Sequence, residues 1–290
     1  MKFKDWATRV MLISLMFAAL ILVLLAGKGT QLQSNTPTSN PENITLSQYP
    51  KAQLQSAKNQ GNESKKVVKS SVKTNKAVAR YSTTEAFAQY RPSYEIAAVN
   101  PSNYGERYAK DINGELINNE AIIVLHETGY SASSAINFFQ APHNDESVQA
   151  SYHTLIKLDG TIVYLVPPEK RAFGAANSVF DSPDGSETVK TNPDLPPSVN
   201  NFAYHVSLET PPDSYNSSQK THSGYTEAQY NSLAWLVAQS QVPDDRITTH
   251  QEVDRSGQKV DPINFDSDKF LSLLHTYRQV KPTYKLGTGD

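Results

Sequence analysis

The sequence predicts an α/β fold, and three observations lead to this class. A continuous apolar run covers Ala121–Leu125, two β-rich runs flank the Asp159-Gly160 pair, and apolar residues repeat at helical spacing near the end of the chain. Apolar strands that alternate with amphipathic helices are typical of an α/β domain. The region beyond about residue 100 is therefore expected to form such a domain.

The first predicted strand is Ala121–Leu125, which contains no polar residue and ends at His126. A short continuous apolar run is typical of a strand that is buried on both faces. Tyr152–Lys157 and Thr161–Val166 are the next two strands, and the Asp-Gly pair between them predicts a β-hairpin.

The segment Phe202–Glu209 has the alternating pattern of a half-buried strand. One face carries Phe202, Tyr204, Val206 and Leu208, and the other carries Ala203, His205, Ser207 and Glu209. Side chains on a strand point alternately to its two faces. The first face is therefore expected in the core, and the second at a polar surface or a cleft.

Two helices are predicted after this strand. Thr226 and Gln229 have the spacing of a capping box, and apolar residues follow at helical spacing, so a helix is expected from about Thr226 to Ser240. Ser267–Arg278 carries one apolar stripe and is expected to be a second, surface helix.

Composition narrows the class of protein. The chain of 290 residues has room for one sizeable domain plus appendages, and its formal net charge is −2. Lysine and arginine are scattered, so no basic surface of the kind that binds nucleic acid is expected. The absence of cysteine excludes disulfides, thiolate metal sites and cysteine nucleophiles, and it leaves histidine, aspartate and glutamate as metal ligands.

Residues 1–27 are predicted to be an N-terminal membrane anchor or signal sequence. Val10–Gly27 is free of charge, and as a helix it would span about 27 Å, close to the roughly 30 Å of a bilayer's hydrocarbon core. Lysine and arginine precede this run, so everything after it is expected on the exported (periplasmic) side of the cytoplasmic membrane. An uncleaved anchor is favoured because Leu25–Gly29 lacks a clear Ala-x-Ala cleavage site.

Residues 28–95 are predicted to be a flexible linker, because they are rich in Ser, Asn, Gln, Thr and Lys and poor in large apolar residues. A helical patch at Thr83–Tyr90 is an exception within this segment. The folded domain is expected at residues 96–280, followed by a C-terminal tail at 281–290, and the protein is expected to be a monomer.

Two histidines stand where strands or loops are expected to end, His126 and His250. Asp261 lies eleven residues after His250, and Lys259 lies two residues before Asp261. Two histidines and a carboxylate form a plausible zinc site, which leaves the fourth position to a water molecule whose pKa falls to about 7. Spacing alone leaves the alternative open, in which the histidines are polar residues at a sheet rim and Asp261-Pro262 is a turn. His143, His222 and His275 are expected to be solvated or on helix surfaces.

Several segments that occur in one order carry a family resemblance. They are Pro101–Arg107, Ile123–His126, Tyr152–Ile156 with Asp159-Gly160, Lys170–Ala172, Val206–Glu209, Thr226–Tyr230, Thr249-His250 and Lys259–Pro262. Together they resemble the type 2 N-acetylmuramoyl-L-alanine amidases, which are relatives of phage amidase lysozymes and peptidoglycan recognition proteins. The resemblance covers about residues 100 to 278.

This resemblance implies a central mixed β-sheet flanked by helices, with a zinc cleft on one face. It implies that His126, His250 and Asp261 are the ligands of a Zn²⁺ cofactor. It also implies that Lys259 steadies the oxyanion and that Tyr152 lines the site.

The same resemblance suggests a general base. Val206–Glu209 resembles an Ile-Gly-Ile-Glu strand whose glutamate is catalytic in one branch of the family, which aligns Glu209 with that residue; the alternative is a rim carboxylate. His205 and Arg171 are candidate substrate-binding residues, although His205 is equally compatible with a solvated rim position. Ser207 and Gly174 depart from the family pattern, since many relatives have glycine and histidine there.

The expected function is that of a zinc-dependent amidase, a hydrolase that cleaves the bond between N-acetylmuramic acid and L-alanine in peptidoglycan or muropeptides. The alternatives are a non-catalytic peptidoglycan-binding protein and a structural protein that uses the domain as a wall anchor. The Pro-, Ser- and Asp-rich segment Asn177–Val199 is hypothesised to form a loop over or beside the cleft that gates access.

Overall fold

The structure is a computed structural model that describes residues 80–215 and 221–281. Its strands are β1 (Tyr81–Thr83), β2 (Tyr94–Ile96), β3 (Tyr104–Glu106), β4 (Ile122–Glu127), β5 (Thr154–Ile156), β6 (Ile162–Tyr164), β7 (Lys170–Ala172), β8 (Phe180–Ser182), β9 (Gly185–Glu187), β10 (Ala203–Leu208), β11 (Ile247–Thr249) and β12 (Arg278–Val280). Its α-helices are α1 (Glu85–Gln89), α2 (Ala132–Gln140), α3 (Glu227–Ala238), α4 (His250–Val253) and α5 (Ser267–Tyr277). The predicted anchor at 1–27, most of the predicted linker and nearly all of the predicted tail lie outside the described residues.

Six strands form the central sheet, in the order β11-β4-β10-β5-β6-β2. Strands β11, β4, β10 and β5 are parallel to their neighbours, β5 and β6 are antiparallel, and β2 is parallel to β6. The sheet is therefore mixed, and helices pack against it, which confirms the predicted fold class.

The strand β4 is buried on both faces, as its apolar sequence predicted. Ile123 and Leu125 belong to a core cluster that includes residues of α3 and α5, whereas Ile122 and Val124 belong to a second cluster on the other side of the sheet. The strand extends two residues further than the apolar run and ends with His126 and Glu127. Its polar end therefore lies at the sheet edge, next to a hydrophobic core.

The predicted hairpin is present as the antiparallel pair β5 and β6. Gly160 has a φ of 84°, a left-handed backbone conformation, and a Cβ atom there would lie 2.8 Å from the Ala228 carbonyl oxygen. Asp159 Oδ1 accepts a hydrogen bond from the Thr161 N–H. Glycine is thus required both by the turn and by the close approach of α3.

Both predicted helices are confirmed. The Thr226 side chain accepts from the Gln229 N–H and the Gln229 side chain accepts from the Thr226 N–H, so the capping box forms. Helices α3 and α5 pack on each other through a shared apolar cluster that contains Leu233, Phe270 and Leu274. These two helices cover the face of the sheet that carries Leu125.

The folded region begins earlier than the predicted boundary at residue 96. Strand β1 pairs with β12, and β2 forms the edge of the central sheet. In α1, the Phe87 ring stacks on Trp235 with centroids 5.1 Å apart. Residues 81–95 were assigned to the linker because their composition is polar. Composition alone does not show that a few aromatic side chains of this segment pack on α3.

Within residues 80–215 and 221–281, no helix is long and apolar enough to cross a membrane.

Candidate active site

The structure brings His126, His250 and Asp261 together at one edge of the central sheet. His126 is the penultimate residue of β4, and His250 directly follows β11. Because β4 and β11 are parallel neighbours, their carboxyl ends meet at the same edge. One potential ligand atom from each residue lies within 4.8 Å of the others, and His250 Nδ1 is 3.0 Å from Asp261 Oδ1.

The three side chains fit a zinc ion in both atom type and protonation state. His126 Nδ1 is buried, lies 3.6 Å from Asp261 Oδ2, and has no hydrogen-bond partner among the described residues. Burial, with the charge of nearby His250, lowers the pKa of His126 to about 4, so the imidazole is neutral near pH 7. Burial raises the pKa of Asp261, but the interactions of its carboxylate with His126 and His250 outweigh this and hold it well below the usual range. Two histidine imidazoles and a carboxylate are ligands that zinc takes.

A cleft with a volume of about 480 Å³ opens beside this cluster. His250 and Asp261 line it, together with the predicted site residues Tyr152 and Lys259. The other lining residues are Glu127 to Tyr130, then Thr210, Ser214 and Tyr215, and finally Gln258, Val260 and Ile263. A substrate in this cleft would therefore lie next to His250 and Asp261.

Tyr152 is half-buried and lines the cleft. The ring lies against His126, with centroids 4.7 Å apart. Burial and the negative charge of Asp261 raise the pKa of the Tyr152 hydroxyl well above its usual range. The phenol is therefore protonated at neutral pH and can donate a hydrogen bond to a substrate.

Lys259 is positioned by a loop that Asp254 holds in place. The Asp254 carboxylate accepts hydrogen bonds from the backbone N–H groups of Ser256, Gln258 and Lys259. Burial raises the pKa of Asp254, but the bonds from Ser256, Gln258 and Lys259 outweigh this and lower it to about 2. The loop is thus supported by an ionised carboxylate throughout the neutral range.

The role of Glu209 as the general base stays a prediction, and the structure shows which groups its carboxylate contacts. Its Oε1 accepts a hydrogen bond from the Ala132 N–H at the start of α2, at 2.8 Å, and its Oε2 accepts from the Leu158 N–H at 3.0 Å. Within the described part of the chain, Glu209 is not one of the residues that line the cleft. Glu209 follows the last residue of β10, and its carboxylate joins α2 to the hairpin turn.

The two candidate substrate-binding residues also lie away from the cleft. His205 is fully buried and its Nδ1 is 2.9 Å from His126 Nε2, so it contacts a metal-ligand candidate and not a substrate. Arg171 contacts the Thr191 hydroxyl at 2.6 Å, and its guanidinium lies over the rings of Tyr108 and Phe173. Neither residue is among those that line the cleft in the described part of the chain, and their roles in substrate binding stay predictions.

Comparison with known proteins agrees with this geometry. The family model for N-acetylmuramoyl-L-alanine amidase matches residues 118–264, half of the chain, and this range includes all three members of the cluster. The chain belongs to the N-acetylmuramoyl-L-alanine amidase family. No curated protein sequence matches it.

Three solved amidase structures resemble the chain at low identity. A selenomethionine derivative of AmpD is 24% identical, with a TM-score of 0.42, over 62% of this chain and 94% of its own. The solution structure of Citrobacter freundii AmpD is 21% identical, with a TM-score of 0.38, over 63% and 90%. The endolysin LysCS of Clostridium intestinale is 18% identical, with a TM-score of 0.37, over 62% and 95%.

Glu127 is a residue of the amidase cleft that the sequence reasoning missed. Its Oε2 accepts hydrogen bonds from Tyr225 Oη at 2.5 Å, from His222 Nε2 at 3.0 Å and from the Ile263 N–H at 3.1 Å. His222 is therefore buried and bonded, contrary to the expectation that it is solvated. The available signal was a charged residue directly after the strand's histidine, where an apolar run ends.

The segment Asn177–Val199 does not form part of the amidase cleft. It contains the antiparallel hairpin of β8 and β9, and none of its residues lines the cleft in the part of the chain that the structure describes. Its Glu187 forms an ion pair with Arg246, and its Asp181 forms one with Arg255. The gating hypothesis stays a prediction, which deletion of the segment would test.

Proposed function

We propose that this protein is a zinc-dependent amidase that hydrolyses the bond between N-acetylmuramic acid and the L-alanine of the peptidoglycan stem peptide. Membership of the amidase family supports the reaction class. The observation that carries the zinc dependence is the cluster of His126, His250 and Asp261, in which His126 Nδ1 is buried without a hydrogen-bond partner among the described residues. A zinc ion would satisfy that atom.

Amide hydrolysis passes through a tetrahedral state in which negative charge develops on the carbonyl oxygen. Bound zinc supplies Lewis acidity to a carbonyl group and to water. His126, His250 and Asp261 would hold it. The Lys259 ammonium lies in the same cleft and would stabilise the developing charge, while the protonated Tyr152 hydroxyl would donate a hydrogen bond that orients the scissile group.

A second candidate is a peptidoglycan-binding protein that does not turn over its ligand. The observation in its favour is that Glu209, the carboxylate aligned with a catalytic base, is engaged by two backbone N–H groups. The two candidates share the ligand and differ only in whether a bond is broken.

One experiment on the full chain, purified in mild detergent, distinguishes the amidase from the binding protein. Metal analysis is combined with mass spectrometry of a muropeptide that is incubated with the protein, with and without a chelator. One zinc per chain and chelator-sensitive release of the intact stem peptide are expected. Zinc without release would favour the binding protein, and release that persists after complete zinc removal would exclude zinc dependence.

We also propose that residues 1–27 anchor the protein in the cytoplasmic membrane and that the amidase domain works as a monomer on the exported side. The uncharged run Val10–Gly27 and the lysines and arginine before it support this orientation. The full chain is expected in the membrane fraction of untreated cells. Protease added to intact spheroplasts is expected to degrade its amidase domain. Recovery of the full chain in the soluble fraction, or its protection from protease, would contradict the proposal.

A further inference from the structure

A buried histidine pair lies directly behind the metal-ligand cluster. His126 on β4 and His205 on the neighbouring strand β10 are both fully buried. His126 Nε2 and His205 Nδ1 are 2.9 Å apart, within hydrogen-bond distance. The opposite nitrogen of the His126 ring, Nδ1, lies on the side of Asp261 and has no hydrogen-bond partner among the described residues.

The direction of this hydrogen bond follows from the need to bind a metal. An imidazole offers a lone pair to a metal only from a nitrogen that carries no proton. If His126 Nδ1 is the ligand atom, the proton of the neutral ring must be on Nε2. His126 Nε2 therefore donates to His205 Nδ1, and His205 carries its own proton on Nε2. The reverse direction would leave a proton on His126 Nδ1 and block the site.

His205 is itself held in one position. Its backbone N–H donates to His153 Nδ1 at 2.9 Å, and its backbone carbonyl accepts from the His153 N–H at 3.0 Å. The two rings are stacked, with centroids 5.8 Å apart and planes 10° from parallel. The imidazole of His205, which accepts the hydrogen bond of His126, is thus held by the sheet backbone and by the stacked ring of His153.

Gly174 provides the space that the His205 ring occupies. A Cβ atom at position 174 would lie 2.5 Å from both Cγ and Nδ1 of His205. Such a distance is not tolerated, so the ring could keep its position only if residue 174 has no side chain. Position 174 is one of the two departures from the family pattern in the sequence, and this contact gives it a physical reason.

We propose that His205 is a positioning residue for the metal centre. It accepts the hydrogen bond of His126 Nε2 and so fixes the tautomer and orientation in which His126 Nδ1 can bind zinc. Gly174 is required for the placement of the His205 ring. This inference rests on the zinc amidase function proposed above. Hydrogen-bonded partners of metal-binding histidines typically change metal affinity by about 10–100-fold.

The test measures zinc affinity of the full chain by competition with a chromophoric chelator, together with the absorption spectrum of the cobalt-substituted protein. His205→Leu removes the acceptor, whereas His205→Asn retains an oxygen near the position of Nδ1. Gly174→Ala displaces the ring without altering any ligand. Tyr204→Phe, on the opposite face of the same strand, removes a buried hydroxyl that has no hydrogen-bond partner among the described residues and serves as the matched control.

The leucine and alanine variants are expected to bind zinc about 10–100-fold more weakly and to show an altered cobalt spectrum. The asparagine variant is expected to recover most of the affinity, and the control to match the wild type. Wild-type affinity and spectrum in both His205→Leu and Gly174→Ala would overturn the positioning role while leaving the amidase function intact. A wild-type chain that binds no zinc would overturn both.

Discussion

The Glu209→Gln variant separates a structural role of this carboxylate from a catalytic one. The two carboxylate oxygens accept hydrogen bonds from the backbone N–H groups of Ala132 and Leu158, at 2.8 and 3.0 Å. A glutamine side chain keeps one acceptor oxygen and replaces the other with an amide group that donates. One of the two bonds is therefore lost, and the other is no longer made to a charged oxygen.

The size of the effect follows from these bonds. A hydrogen bond to a charged group contributes about 1.5–3 kcal/mol to stability. For a folded domain of roughly 200 residues, each kcal/mol shifts the melting temperature by about 2–4 °C. Glu209→Gln is therefore expected to lower the melting temperature by about 3–12 °C. Loss of a general base would instead reduce the rate by about 10²–10⁴-fold without requiring a loss of stability.

Two assays on the full chain in detergent distinguish these outcomes, namely thermal unfolding and release of the stem peptide at a temperature well below both melting points. Glu227→Gln is a suitable control, because the exposed ion pair of Glu227 with Lys269 is expected to contribute about 1 kcal/mol or less. We expect Glu209→Gln to melt earlier and to keep its rate within about threefold. An unchanged melting temperature combined with a rate loss of about 100-fold or more would refute this reasoning and restore the catalytic assignment.

Three further predictions concern the cleft, the loop that carries Lys259 and helix α1. Lys259→Ala is expected to lower kcat by about 10²–10³-fold, the usual loss for a missing oxyanion donor, while zinc content stays at the wild-type level. Steady-state kinetics and metal analysis measure these two quantities. A rate within about threefold of the wild-type rate would contradict the prediction. The pKa of Asp254 is lowered to about 2, so the stability that its carboxylate adds is present above its ordinary pKa of 3.8 and disappears as the pH falls through 2. Thermal unfolding of Asp254→Asn should therefore differ from wild type above pH 4 and converge with it near pH 2, and a difference that is constant with pH would argue against this support. Phe87→Ala removes a half-buried ring that stacks on Trp235. It is expected to lower the free energy of unfolding in urea by about 2 kcal/mol, roughly half the loss for a fully buried ring. An unchanged midpoint would show that α1 does not stabilise the domain.

The parts of the fold that were predictable from the sequence are those with a local cause. The hairpin of β5 and β6 depends on the turn at Asp159-Gly160, and helix α3 depends on the capping box at Thr226. Strand β4 is apolar from Ile122 to Leu125, so its position needed no knowledge of its neighbours. In each case the pattern and the interaction lie within a few residues of each other.

Other expectations could not be decided from the sequence, because they concern positions that depend on pairing between distant segments. Strand β1 is ordered because it pairs with β12, which lies about 200 residues later in the chain. Glu209 was aligned with a catalytic residue, but it lies beyond the last residue of β10, where alternation no longer determines the direction of a side chain. His205 was expected at a polar surface or a cleft, but it is fully buried, and the position of its ring requires the absence of a side chain at Gly174. Neither dependence can be deduced from one strand alone.

The pairing of two strands also explains why the metal-ligand histidines could be selected but not proven from spacing. Strands β4 and β11 pair Leu125 with Thr249, so His126 and His250 are the next residues in register, and their ring centroids are 4.5 Å apart. A shift of one residue in either strand would turn one histidine to the opposite face of the sheet. The 123 residues between the two histidines carry no information about this register, whereas the apolar sequence of β4 does.

Asp261 reaches the same edge by a different route. Its backbone carbonyl accepts a hydrogen bond from the Gln251 N–H at 3.0 Å, and its Oδ2 accepts one from the Glu127 N–H at 3.3 Å. Each donor is the residue directly after one of the two histidines. The carboxylate is therefore fixed relative to both histidines by the backbone that carries them, so the ligand set is held in place by strand pairing before a metal binds.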